Sequence, residues 1–136
     1  MKAFAVAIAA LLWVMAPVAV TTLDKGSQSN VDEGRQVSIR TEQEWTRLWQ
    51  QHKPDRPKPA VDFSTQMVLG VFMGSRSTGG FAVEILGASE AGGALIVQYR
   101  ETIPQPGAIT AQVISSPYHL VAVPKVTGAV TFEKVR

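Results

Sequence analysis

From residue 61 onward the chain is a series of short apolar segments separated by turns rich in glycine and proline, and this pattern constrains the fold most. The turns between these segments are too short to contain crossover helices, which parallel strands require. Mostly antiparallel pairing is therefore expected. The pattern predicts an α+β protein, mainly antiparallel β, built as a sandwich or partly open barrel of five to seven strands with one short amphipathic helix. The predicted strands cover residues 34–40, 66–74, 80–90, 94–103, 109–116, 119–124 and 128–135.

The single helix has the clearest local signal. Thr41 and Glu44 form a capping box, in which the hydroxyl and the carboxylate each bind the other residue's amide. Trp45 and Trp49 then fall four positions apart on one apolar face, and the proline-rich stretch 54–59 ends the helix. Because aromatic residues at helical spacing are usually buried, we expect both tryptophans in the core; the alternative is an exposed platform for a ligand.

The N-terminus has the layout of a secretory signal. Lys2 precedes an apolar run over residues 3–20, the order of a positive end followed by an apolar stretch. We interpret residues 1–20 as a signal peptide cleaved after Ala19 and expect an exported protein, periplasmic or extracellular. Since the run reaches the lower length limit for spanning a bilayer, the alternative is an uncleaved anchor in the cytoplasmic membrane.

After this segment, residues 21–33 are polar and are interpreted as a tether, with a first edge strand at its end as an alternative, and residues 34–136 as a single β-rich domain. The chain has no cysteine, so it has neither a disulfide framework nor a thiol that could carry a lipid. The formal net charge is +2, with the cations scattered and no basic stripe. The charge pattern does not indicate nucleic-acid binding, and contact with a membrane is expected only through an uncleaved N-terminal segment.

The sequence offers little for catalysis. His52 and His119 are the only histidines, and no phosphate-binding loop, zinc-binding pattern or nucleophile elbow occurs. A triad of Ser77, His119 and an aspartate is conceivable, but no pattern marks an orienting group for it. We therefore predict no catalytic residue, no metal site and no cofactor.

The glycine- and serine-rich segment 74–81 joins two strongly apolar predicted strands. Adjacent glycines permit positive φ and a close approach of the backbone to a partner, and binding loops often lie on such rigid frames. The alternative is a hairpin loop that needs those conformations only for itself. The residues predicted to contact a protein partner here are Arg76, Ser77, Thr78, Gly79, Gly80 and Phe81.

A second segment stands out around Pro117, which removes a ladder donor and must interrupt a strand. Tyr118 and His119 follow it and are predicted to extend the contact patch. The alternative is a buried tyrosine with a bonded hydroxyl beside a histidine that faces solvent.

These segments together resemble the C-terminal domain family of PrcB, a bacterial protease-complex subunit. The resemblance runs from Gln36 to Pro124, and Ser77 and Phe81 replace the proline and tyrosine that are common in the family. The residues that carry it are Glu44-Trp45, Trp49, Val61-Asp62-Phe63-Ser64, Gly74, Thr78-Gly79-Gly80-Phe81, Pro104-Gln105-Pro106-Gly107, Thr110, Gln112-Val113, Ser116-Pro117-Tyr118-His119, Val121, Val123 and Pro124.

The resemblance implies an exported, non-catalytic accessory protein that associates with or stabilises a protease. A rival interpretation starts from Ser77-Thr78-Gly79-Gly80-Phe81, which is similar to the cleft-plugging loop of chagasin-type protease inhibitors. Those inhibitors use an additional loop with a tryptophan, whereas here the tryptophans are Trp13, Trp45 and Trp49, in the signal and the helix. Their absence from the later loops weakens this rival, since binding loops need an aromatic anchor. A plain periplasmic structural module is a third interpretation.

Overall fold

The computed structural model describes residues 15–136, so residues 1–14 of the predicted signal lie outside the described part. Among residues 15–136, eight strands and one helix form three layers: two sheets face to face, and the helix on the outer face of one of them. The elements in chain order are β1 (Ala16–Pro17), β2 (Thr21–Gly26), β3 (Arg35–Ile39), α1 (Glu42–His52), β4 (Gln66–Phe72), β5 (Ala82–Ala91), β6 (Ala94–Thr102), β7 (Tyr118–Pro124) and β8 (Val130–Val135).

The first sheet has the strand order β1-β5-β6-β8 and the second the order β2-β7-β4-β3. All pairings are antiparallel except that of β6 with β8. Neither sheet closes on itself, so the predicted mainly antiparallel sandwich is confirmed. The strand number exceeds the expected seven because residues before position 34 contribute β1 and β2.

Strands β4 and β7 lie in the centre of the second sheet and are buried on both faces. Side chains such as Leu69 and Val121 fill the core between the sheets, where they meet Val97 of β6. Their neighbours Val68 and Leu120 point to the opposite face and pack under the helix. Burial on both faces explains why residues 66–74 read as a continuous apolar run rather than an alternating one.

Helix α1 covers the outer face of the second sheet. Thr41 is its N-cap and accepts a hydrogen bond from the Glu44 amide, as the capping box predicted. Trp45 and Trp49 are 0% and 5% exposed, which confirms the prediction that both are core residues. Each indole Nε1–H donates to a main-chain carbonyl of the following loop, at Pro59 and Arg56 respectively.

The N-terminal residues differ from expectation. The first edge strand considered for the end of the segment 21–33 lies at its start, where Thr21–Gly26 forms β2 against β7. The tether interpretation is wrong, because β2 belongs to the sheet and Val31 is fully buried. Within the predicted signal, Val18 donates a main-chain hydrogen bond to Ala88, and its side chain packs on the inter-sheet core with that of Val20. None of the described residues forms a helix long and apolar enough to cross a bilayer.

The strand predicted at 109–116 is also absent from the structure. Residues 103–117 form a long loop whose strand-like contacts are two isolated bridges, one between Ser115 and Arg76 and one between Ser116 and Gln28. Strand β6 already pairs with β5 on one side and β8 on the other, so it offers no free edge to this segment. Prolines at the two ends of the loop further limit ladder formation.

Candidate functional site: the loop end of the sandwich

The two segments that the sequence singled out meet at one end of the sandwich. We call this end, formed by residues 73–81 and 103–117, the loop end. The amide of Arg76 donates to the Ser115 carbonyl at 2.7 Å, and the Ser115 amide donates back at 2.9 Å. The Ser115 hydroxyl donates to the Thr78 carbonyl, and the Gly79 amide donates to Ala111. The two loops are therefore one hydrogen-bonded unit.

Within the first loop, the side chains divide between support and surface. The Arg76 guanidinium lies 5.4 Å from the centre of the Phe81 ring, and Phe81 itself packs against the inter-sheet core. Ser77 and Gly80 are exposed, whereas Thr78 and Gly79 are half-buried. Of the six residues predicted here, Arg76 and Phe81 thus support the loop, and Ser77 and Gly80 are presented to solvent.

Gly80 is also a structural requirement of the loop. Its φ of +89° lies in the left-handed region, and a Cβ at this position would lie 2.8 Å from Pro104 and 3.0 Å from Thr110. Any side chain here would strain the backbone and push the two loops apart. The hairpin alternative considered from the sequence is therefore supported for Gly80.

The second loop carries a feature that sequence reasoning missed. Ile109 is fully exposed, and Ile103, Val113 and Ile114 are each more than half exposed. No Asp, Glu, Lys or Arg lies between Glu101 and Lys125. An uncharged loop with several exposed apolar side chains is the kind of surface that proteins use for binding partners. The long uncharged interval was the signal for it, but the segment was interpreted as a strand with a buried face.

Tyr118 and His119 do not belong to this surface. They are 1% and 3% exposed, so their prediction as a contact patch is wrong. They begin β7, a central strand whose two faces are both covered. His119 accepts a hydrogen bond from the Ile85 amide at Nδ1, at 2.9 Å, and its Nε2 lies 2.9 Å from the Thr22 hydroxyl. Since Nδ1 is an acceptor, the ring is neutral and Nε2–H donates to Thr22.

Burial, together with the nearby Lys25, lowers the pKa of His119 to about 4, and Glu84 opposes the shift. The imidazole joins three strands from both sheets through β7, β5 and β2. These hydrogen bonds account for the buried position of His119. The ring is too deeply buried to contact a partner or to act as a base for a nucleophile such as Ser77.

A second buried network ties the N-terminal segment to the end of the helix. Asp24 accepts from Nε2–H of His52 at 3.0 Å, and the Ser29 hydroxyl lies 2.6 Å from Nδ1 of the same ring. Burial raises the pKa of Asp24, but hydrogen bonds from His52 and Tyr118 outweigh it, so the net pKa is below its ordinary value. Burial lowers the pKa of His52, and the bond to Asp24 only partly offsets this.

The Ser29, His52 and Asp24 side chains contain the residue types of a hydrolase triad, but their environment favours a structural role. His52 is 0% and Ser29 is 7% exposed, and the Ser29 hydroxyl already accepts the Val31 amide. Three grooves on the described surface are lined by other residues. A nucleophile needs a space beside it in which a substrate carbon can lie, and this network has none of the described grooves next to it.

The described residues contain no cluster of three or more His, Asp or Glu side chains that could hold a metal ion. The chemistry that the loop end offers is therefore main-chain hydrogen bonding, exposed hydroxyls and apolar contact. These groups suit recognition of another protein surface.

Residues 67–124 match the family model of the PrcB C-terminal domain. The matched stretch runs from β4 through β7 and includes both loops of the loop end, so the resemblance recognised in the sequence is confirmed there. The match is consistent with a protease-associated accessory module. No curated protein and no solved structure matches the chain significantly.

Proposed function

We propose that the chain is an exported protein-binding module without catalysis of its own, and that it serves as an accessory, stabilising subunit of a secreted or envelope protease complex. The observation that carries the proposal is the uncharged loop 103–114 with its exposed isoleucines, which lies against loop 75–81 within the stretch that matches the PrcB C-terminal domain. Ile109 and Ile114 are the most exposed apolar side chains of this loop and would be buried in the contact with the protease.

The position of strand β1 supports the loop end as the contact surface. Strand β1 pairs with Ser89 and Glu90, near the end of β5, whereas the loop end precedes Ala82 at the start of that strand. The chain therefore enters the fold at the end opposite to the loop end. If the N-terminal segment stays in the membrane, the loop end points away from the bilayer and remains accessible to a protein.

The proposal is tested with a tagged chain purified from the cell envelope of cells that produce it. We expect a protease to co-purify, detected by its hydrolysis of casein, and to lose activity more slowly on heating when the chain is bound. The variant Ile109→Asp/Ile114→Asp should recover at least tenfold less protease, because carboxylates would be buried in an apolar contact. Leu86→Asp is the matched control, since Leu86 is an exposed apolar residue on the outer face of β5.

Absence of any protease from the wild-type preparation would contradict the accessory role. Equal recovery with the loop variant and with Leu86→Asp would contradict the loop end as the contact surface. The purified chain alone should not hydrolyse peptides, esters or phosphate esters, and turnover that Ser29→Ala abolished would overturn the non-catalytic part.

The second candidate function is protease inhibition in the manner of chagasin-type proteins. It is favoured by the exposed Ser77 and Gly80, which lie beside a second apolar loop at the same end of a sandwich. The described tryptophans weigh against it, because Trp45 and Trp49 are buried under the helix and supply no aromatic anchor at the loop end. Stoichiometric loss of protease activity when the chain is added would establish inhibition instead of stabilisation.

A further inference from the structure

A groove separates the edge strand β3 from the helix that follows it. The helix runs back antiparallel to β3, so that Arg35 comes close to Gln51 at one end of the groove. The groove encloses about 300 Å³. Its apolar lining comes from Val37, Ile39 and Leu48, and it does not involve the loop end.

The main chain on the open side of β3 is available for pairing. Strand β3 is the last strand of its sheet and pairs with β4 through residues 35–39. In an antiparallel pair, alternate residues direct their N–H and C=O groups away from the partner strand. Among residues 15–136, no further hydrogen bond to the main chain of 35–39 is present. An open edge of this kind is a template for an added strand.

The charges at the rim of the groove favour an acidic occupant. Arg35 and Arg47 lie on the rim, and Glu44 is the single carboxylate there. Glu44 accepts the Thr41 hydroxyl at 3.0 Å, which leaves its charge in place, so it offsets one of the two arginines. Arg35 is held in place by its bond to Gln51 and lies 5.8 Å from the centre of the Phe72 ring. Two arginines against one carboxylate leave the rim with a net positive charge.

We propose that this groove binds an extended, acidic segment of a partner protein, which adds to the second sheet as a strand beside β3. The segment would span about five residues, or roughly 16 Å at the rise of a β-strand. Alternate side chains of the segment would pack on Val37 and Leu48, and a carboxylate would meet Arg47 at the rim. This surface is independent of the loop end.

A second copy of the chain fits the groove less well. Pairing of two β3 strands about a two-fold axis would bring the same basic rim, with Arg35 and Arg47, to both sides of the contact. Like charges brought together oppose such pairing. An acidic peptide instead supplies the charges that the rim lacks.

The test uses a library of random seven-residue peptides displayed on phage and selected on the intact chain. We expect enriched sequences to alternate apolar residues with Asp or Glu. A selected peptide, made with a fluorescent label, should bind Arg47→Glu at least tenfold more weakly by fluorescence anisotropy, and Arg47→Lys should retain most of the affinity. Arg100→Glu is the matched control, because Arg100 is exposed on the other sheet and the change in charge is the same.

Backbone pairing has a signature that charge alone cannot produce. N-methylation of alternate peptide amides should abolish binding in one register and spare it in the other, since only every second amide faces β3. Selection of no binder, absence of an acidic preference, or equal binding by Arg47→Glu and Arg100→Glu would overturn the proposal. A dimer of the chain that pairs through β3 would also overturn it. Ile109→Asp/Ile114→Asp should leave peptide binding unchanged, which separates this groove from the loop end.

Discussion

The buried imidazole of His119 should make the folding of this protein sensitive to mild acid. The ring is 3% exposed, and its Nδ1 accepts the Ile85 amide, so a proton on Nδ1 would replace an acceptor with a second donor facing that amide. Lys25 and Glu84 form an ion pair at 3.4 Å and act on the pKa of His119 in opposite directions, Lys25 more strongly than Glu84. The folded state therefore requires the neutral ring.

The magnitude follows from the two pKa values. The pKa of His119 is about 4 in the folded chain against an ordinary value of 6.5. Because the folded pKa is the lower one, the unfolded chain binds the proton first, and the stabilisation is complete above 6.5 and is lost as the pH falls toward 4. Lowering the pH from about 7.5 to about 4.5 should cost about 2.5 kcal/mol through this residue alone. That loss is a large part of the free energy of unfolding of an ordinary domain.

The assay is urea unfolding followed by tryptophan fluorescence at a series of pH values. His119→Asn is the informative variant, because its side-chain oxygen can still accept the Ile85 amide and does not titrate. We expect this variant to be less stable at neutral pH, but its free energy of unfolding should fall by about 2.5 kcal/mol less between the two pH values. His52→Asn is the control for the other buried histidine, whose lowered pKa acts in the same direction.

If the free energy of unfolding fell equally with pH for the wild type and for His119→Asn, the reasoning would be refuted, since the loss of stability would then come from other groups. Asp24 cannot mimic the effect in this window. Its pKa is already below the ordinary 3.8 in the folded chain, so its contribution is lost only at lower pH.

Two further predictions concern packing. Trp45→Ala should lower the free energy of unfolding, measured by urea unfolding, by about 3–5 kcal/mol. The change empties a fully buried site and leaves the Pro59 carbonyl without its donor. A loss below about 0.5 kcal/mol would place the indole on the surface. Gly80→Val should lower the melting temperature of the chain alone, because of the positive φ and the close contacts that a side chain would make with Pro104 and Thr110. Unchanged stability together with weakened partner binding would show that the position acts only in recognition.

Local signals in the sequence were sufficient for the helix and for most strands. The capping box at Thr41 and Glu44 depends on neighbouring residues, so it predicted the start of α1 correctly. The alternation in residues 80–90 and 94–103 likewise predicted the hairpin of β5 and β6. Such features are decided within a few residues of the chain, where the sequence carries the whole of the information.

The candidate site depended more on tertiary contacts. The closeness of loops 74–81 and 103–117 follows from strand order, because β5 and β7 start at the same end of the sandwich. Residues 109–116 contain enough apolar residues to resemble a strand. The strands that flank them in the chain, β6 and β7, are each paired on both edges and offer them no partner, and that is a property of the whole sheet rather than of the segment.

The sequence by itself determined the elements that arise from local periodicity and capping, and it also determined the family resemblance through the order of its motifs. Only the tertiary structure decided which polar residues are buried. Tyr118, His119 and Ser29 all read as surface because their polarity is visible in the sequence, whereas their partners are distant along the chain. His119 bonds with Ile85 and Thr22, 34 and 97 positions away, and a polar group can be buried only when such partners satisfy it.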